Sequence, residues 1–131
     1  MDLDHLVLPV SDYETGKSFY ERALGPLGFE IRMDWPDRHR AYFGLAGEPS
    51  SIWLFESPAA GFLEFALHAP DARIVESFYE AAVAAGARSL HAPAMDSDRH
   101  GDHYSARIVD PDGNRVEVVF HSAAQEASLA A

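Results

Sequence analysis

Apolar and polar positions follow the same order twice along the chain. Ser18-Phe19-Tyr20-Glu21 recurs as Ser77-Phe78-Tyr79-Glu80, an offset of 59 residues. The same offset carries Asp12 onto Asp71, Ala23 onto Ala82 and Leu24 onto Val83, and one residue of slippage then aligns Gly28 with Gly86. Each copy opens on a short apolar run, Leu6 to Val10 or Phe65 to Ala69, whose length and flanks predict a buried strand. A helix start follows at Ser11-Asp12 or Pro70-Asp71, where the aspartate can accept from exposed backbone N–H groups. Phe19, Tyr20, Ala23, Leu24 and Leu27, and in the second copy Ile74, Val75, Phe78, Tyr79, Ala82 and Val83, recur at a helical period. Both helices are expected to stop near a glycine.

Strands are predicted next, near Glu30–Trp35, Arg40–Leu45 and Ser51–Glu56, then near Arg88–His91, Tyr104–Asp110 and Arg115–His121. Asp110-Pro111-Asp112-Gly113-Asn114 has the composition of a hairpin turn, and Ala46-Gly47-Glu48-Pro49-Ser50 holds the corresponding place in the first copy. The pattern is βαβββ twice, an α+β fold. One such unit covers its own sheet poorly, so residues 1–59 and 60–123 are expected to pack as a single domain over residues 1–123, leaving 124–131 as an alanine-rich tail.

Composition narrows the function. The 131 residues suit one domain, and 47% hydrophobic with 11% aromatic content is enough for a core. With 21 acidic against 10 basic residues, the net charge of −11 argues against nucleic acid and anionic membrane as partners. The absence of cysteine excludes a disulfide scaffold, a zinc ribbon and a thiol nucleophile. Met1-Asp2-Leu3-Asp4 has no basic n-region, and no apolar run reaches the ~20 residues that span a bilayer, so a soluble, cytoplasmic protein is expected. Glycine-rich phosphate loops, Gly-x-Ser-x-Gly elbows and His-Glu-x-x-His helices are lacking.

The repeat also ranks the polar side chains. Adding 59 to His5 gives Glu64, both at the head of a first strand, and an offset of 64 between the last strands pairs Trp53 with Glu117. Glu117 interrupts Val116, Val118, Val119 and Phe120, where an unpaired carboxylate is costly to bury, unless the strand alternates and turns Arg115, Glu117, Val119 and His121 to a wet face. Glu64 has a solvated-edge alternative and His5 a core or rim alternative. Imidazole and carboxylates together suit a divalent cation with open coordination positions.

The runs Leu3-Asp4-His5-Leu6-Val7-Leu8-Pro9-Val10-Ser11-Asp12 and Ser18-Phe19-Tyr20, with the stretch from Tyr104 through Asp110-Pro111-Asp112-Gly113-Asn114 to Glu117, resemble the glyoxalase/bleomycin-resistance/extradiol-dioxygenase superfamily, the vicinal oxygen chelate proteins. The resemblance covers residues 3–121. It implies two tandem βαβββ modules forming a cupped mixed sheet with helices on its outer face, around a metal or ligand cavity. It also implies a divalent metal (Zn, Ni, Mn or Fe) that chelates vicinal oxygens of a substrate, although some members sequester drugs without a metal. His5 matches the first ligand and Glu117 the last, whereas Glu64 stands where a histidine is usual and Trp53 where glyoxalase I has a carboxylate or amide. The implied metal set is His5, Glu64 and Glu117.

His68 shares the strand parity of Glu64. Asp98 to Tyr104 reads as a polar loop that could lid the cup, with His100, His103 and Tyr104 as substrate contacts or, alternatively, as solvated residues. Trp53 and Phe55 would shape the cavity for an apolar or planar ligand, or else pack in the core. Arg38-His39-Arg40 is the one basic cluster. The leading expectation is a glyoxalase-like, metal-dependent lyase or isomerase, with Glu64 and Glu117 as catalytic carboxylates and Glu64 as the base. The alternative is a metal-free drug- or metabolite-binding protein, and a weaker one is an extradiol-type dioxygenase. A homodimer with a small-molecule ligand is expected in each case.

Overall fold

The computed structural model describes residues 4–98 and 101–121. The first copy runs β1 (His5–Val10), α1 (Tyr13–Leu24), β2 (Phe29–Trp35), β3 (Arg40–Leu45) and β4 (Ser51–Glu56). The second runs β5 (Glu64–His68), α2 (Ala72–Ala84), β6 (Arg88–Asp98), β7 (Gly101–Val109) and β8 (Arg115–Phe120). Each is a βαβββ module, as the periodicity predicts. Asp12 accepts from Thr15 N and Asp71 from Ile74 N, both at 2.9 Å, so each aspartate caps its helix.

The sheets have matching orders, β1-β4-β3-β2 and β5-β8-β7-β6. In each, the first strand pairs parallel with the last and the other pairs are antiparallel. Alternation along the strands separates two faces. Leu8, Val10, Leu54, Val116 and Val118 are buried, while His5, Val7 and Trp53 stay exposed and Glu117 half-buried. Helices α1 and α2 pack on their own sheets and on one another, so one core runs from Leu8, Tyr20 and Phe43 to Val75, Phe78 and Ile108. Removing a ring such as Phe78 from water is worth about 1.5–3 kcal/mol, which is why the paired helices hold the modules together.

The Asp110–Asn114 turn bolts the modules to each other. Buried Asp110 accepts from Asp112 N at 2.9 Å and from Asn114 N and Nδ2 at 2.8 Å each, and it also accepts from the Tyr20 hydroxyl on α1. Burial, reinforced by the Asp110 charge, pushes the Tyr20 phenol well up, so it remains a proton donor. Asp112 accepts from Ser11 N at 3.1 Å and from its hydroxyl, and Asn114 Oδ1 accepts from Leu63 N at 3.0 Å. Gly61 approaches so closely, with φ +97°, that a Cβ there would lie 2.3 Å from the Asp112 carbonyl oxygen.

The structure refines two expectations. Strand β6 continues to Asp98 instead of ending at His91, and its pairing with β7 reaches Asp98 opposite Gly101. Of the expected Asp98–Tyr104 loop, Asp98 belongs to β6 and residues 101–104 to β7. Pro93 obscures this in the sequence, but it sits on an edge strand within a register shift between His91 and Ala94, where proline is tolerated. Second, the mixed β-structure of the tandem βαβββ modules is resolved as two four-stranded sheets, one per module, which among the described residues share no strand. His100 and the 124–131 tail lie outside the described residues.

Candidate functional site

Each sheet turns one face to its helix and the other away from it, and the expected site residues divide between these two open faces. On the first, β1 contributes His5 and Val7, β3 Arg40 and Tyr42, and β4 Trp53 and Phe55. The register sets Tyr42 and Val7 on either side of Trp53. The rings stack: Tyr42 on Trp53 at 4.9 Å and 15°, and Trp35 against Trp53 at 6.3 Å and 15°. Trp35 also lies 6.4 Å from Tyr42, and His5 meets Trp53 edge-on at 6.4 Å. Trp53 Nε1 donates to Ser51 Oγ at 2.9 Å, which holds the indole in place. His5, Val7, Arg40, Trp53, Leu54 and Phe55 line a cavity of about 440 Å³. His5 Nδ1 is 3.7 Å from the Asp4 carboxylate.

The second face is ionic. Glu64, Arg107, Arg115 and Glu117 share a pocket of about 250 Å³ with Phe65, Ala66 and Leu90. Arg107 Nε donates to Glu117 Oε2 at 3.0 Å across the β7–β8 pair. That bond, with the Glu117 charge and lesser attraction from Asp96 and Glu64, holds the guanidinium pKa above its ordinary value. Further along the same face lies a row of imidazoles: His68 and His121 at 6.1 Å and nearly parallel, His103 and His121 at 5.7 Å. Among the described residues, buried His121 Nδ1 and Ser105 Oγ have no hydrogen-bond partner.

The repeat equivalences are visible in the register, since Val7 opposes Trp53 as Ala66 opposes Glu117. Convergence on one point is not. Glu64 and Glu117 meet in one pocket, whereas His5, Trp53 and Phe55 line the other. Among the described residues no three metal-capable side chains come together. The expected donor set of His5, Glu64 and Glu117 therefore does not fit a divalent cation within this chain, because the sheets remain separate and Glu117 already holds a guanidinium. His68 and His103 lie in the imidazole row. Tyr104 points the other way, its hydroxyl donating to Glu76 Oε1 on α2 at 2.9 Å, so it leaves the expected group of open-face contacts. In the basic cluster, Arg40 lines the first cavity while His39 Nδ1 sits 3.1 Å from Glu56.

Three residues of these faces carry no assigned role in the sequence: Trp35, Tyr42 and Arg107. Arg107 is recoverable by counting outward from the Asp110–Asn114 turn, which puts Val109 opposite Arg115 and Arg107 opposite Glu117. The same count from Ala46–Ser50 falls one residue out of step, because Ser51 pairs with Gly44 and not with Leu45.

The fold recurs in solved structures. A glyoxalase/bleomycin resistance protein from Albidiferax ferrireducens is 21% identical with a TM-score of 0.79, covering 91% of this chain and 98% of that one. A glyoxalase-related enzyme from Fulvimarina pelagi is 19% identical with a TM-score of 0.70, covering 92% and 88% respectively. A virulence protein from Salmonella typhimurium is 24% identical with a TM-score of 0.67, covering 93% and 98%. None of the curated proteins compared with the chain matches it. The family model of the Glyoxalase/Bleomycin resistance protein/Dioxygenase superfamily matches residues 2–118, and with the tandem βαβββ modules and their bolted turn in view, the chain belongs to that superfamily.

Proposed function

We propose that the protein is a metal-free binder of a planar small molecule, which stacks on the Trp35–Tyr42–Trp53 face. The observation that carries this reading is the near-parallel arrangement of these rings beside a cavity of about 440 Å³. Aromatic faces attract flat rings by offset stacking and cations through their quadrupole. The net charge of −11 favours the approach of a cationic ligand over an anionic one, against the local charge of Arg40 in the cavity lining. Phe55 and Val7 supply apolar walls, and His5 at the rim can donate to or accept from a polar substituent.

The test is a fluorescence titration with an acridinium dye in the presence of EDTA. Quenching of the tryptophan emission is expected, with Trp53→Ala weakening binding by roughly tenfold or more, about the value of one stacked pair in a desolvated site. A second reading, the metal-dependent lyase or isomerase, draws on Glu64 and Glu117 sharing one pocket. Dye or substrate binding that appears only when Ni, Zn or Mn is added would favour it and overturn the first.

A further inference from the structure

We infer that Arg107 holds the cation position of the second face, so that the Glu64–Glu117 pocket is filled by a side-chain cation and closed to divalent metal. The pairing is dictated by register. Arg107 and Glu117 are directly opposite on β7 and β8, and cross-strand partners of opposite charge on one face come within contact distance. The Nε–Oε2 separation of 3.0 Å is that of a charge-assisted hydrogen bond. One strand further, Glu64 lies opposite Arg115, and all four side chains line the same pocket.

The charges decide the matter. Two carboxylates and two guanidiniums leave the pocket formally neutral, so it offers a divalent ion no net attraction. A metal on Glu117 would have to displace a guanidinium that the strand register keeps beside it. An arginine also cannot step aside by losing its proton, unlike a histidine. The first module shows that this is a property of the lining and not of the fold: at the place of Arg107 and Glu117 it carries Tyr42 and Trp53, stacked and uncharged. The inference concerns the second face, and shares with the stacking proposal only its independence of metal.

The experiment is equilibrium dialysis of the whole chain against Mn(II), with bound metal measured by elemental analysis. Wild type is expected to retain under about a tenth of an ion per chain, and Arg107→Met roughly tenfold more, since removing the guanidinium frees two hard oxygen donors. Adding Glu117→Gln to Arg107→Met should abolish the gain, and Arg107→Lys, which keeps a cation, should behave as wild type. Circular dichroism verifies folding of each variant, with Arg107→Gln in reserve if the methionine variant does not fold. Wild type holding about one ion per chain, lost in Glu117→Gln, would overturn the inference, as would an Arg107 variant that retains no more metal than wild type. Acridinium binding on the first face can succeed or fail without altering any of these outcomes.

Discussion

Tyr42–Trp53 and Arg107–Glu117 occupy the same place in two copies of one module. Both pairs bridge the last two strands, and both stand beside a small or branched residue of the first strand, Val7 or Ala66. One is a ring stack at 4.9 Å, the other an ion pair at 3.0 Å. One residue along, on the helix side, the copies scarcely differ: Ala41 opposes Leu54 as Ala106 opposes Val118, all fully buried. Packing density explains the contrast. A helix-facing site must match the volume of a closed core, and a change of even one methylene is felt there. An open-face site has no such partner and can accept rings or charges. The fold is thus kept by one face of each sheet, and the chemistry is free to diverge on the other.

The largest expected effect comes from breaking what the copies share. Asp110→Ala removes the acceptor for Tyr20, for two backbone N–H groups and for the Asn114 amide. With buried donors left unpaired, a loss of about 3–5 kcal/mol is expected. Urea unfolding should still show one transition, because a single core spans both modules. Two separated transitions would show that the modules hold independently. A smaller effect is expected from erasing the difference. Arg107→Tyr with Glu117→Trp copies the aromatic pair into the second module, and stability should stay within about 1 kcal/mol of wild type, since exposed ion pairs contribute little. A loss above about 3 kcal/mol would show that the ion pair supports the fold.

The smallest effect is acid sensitivity confined to the first module. The Tyr13 hydroxyl above all holds the Asp34 carboxyl below the usual carboxylate range; burial opposes it, and Lys17 adds to the lowering. A carboxyl lowered in the folded state contributes stability in full above its unfolded value, about pH 4, and loses it as pH falls through the folded value. Melting temperature followed from about pH 5 to pH 2 should fall less steeply in Asp34→Asn than in wild type. Equal slopes would show that Asp34 is not the group responsible.

Much of this architecture is legible in the chain because both modules announce themselves by period: alternation for the strands, 3.6 for the helices, aspartates at the caps. Trp53 and Glu117, and His5 and Glu64, are placed in equivalent rows by two offsets alone. What periodicity does not carry is the relation of one sheet to the other. That depends on α1 meeting α2 and on Tyr20 and Ser11 reaching the Asp110–Asn114 turn, contacts with no local signal. Bringing His5 to the two glutamates assumes that the open faces meet, and among the described residues His5 lines one pocket while Glu64 and Glu117 line another. Arg107 was within reach of simple counting, yet an arginine beside an expected metal ligand invites being read as surface. The Asp110–Asn114 stretch reads from sequence as a turn, and its larger duty is to join the modules.

That bolt has a consequence in time. Ser11 and Asp112 are 101 positions apart, and Tyr20 and Asp110 are 90 apart. Bringing such distant positions together costs loop entropy that only an already assembled core can offset. The bolt is therefore expected to close late, after the core has formed. Weakening it, as in Ser11→Ala, should then speed unfolding more than it slows folding in a chevron measurement, as a latch on the joined modules would.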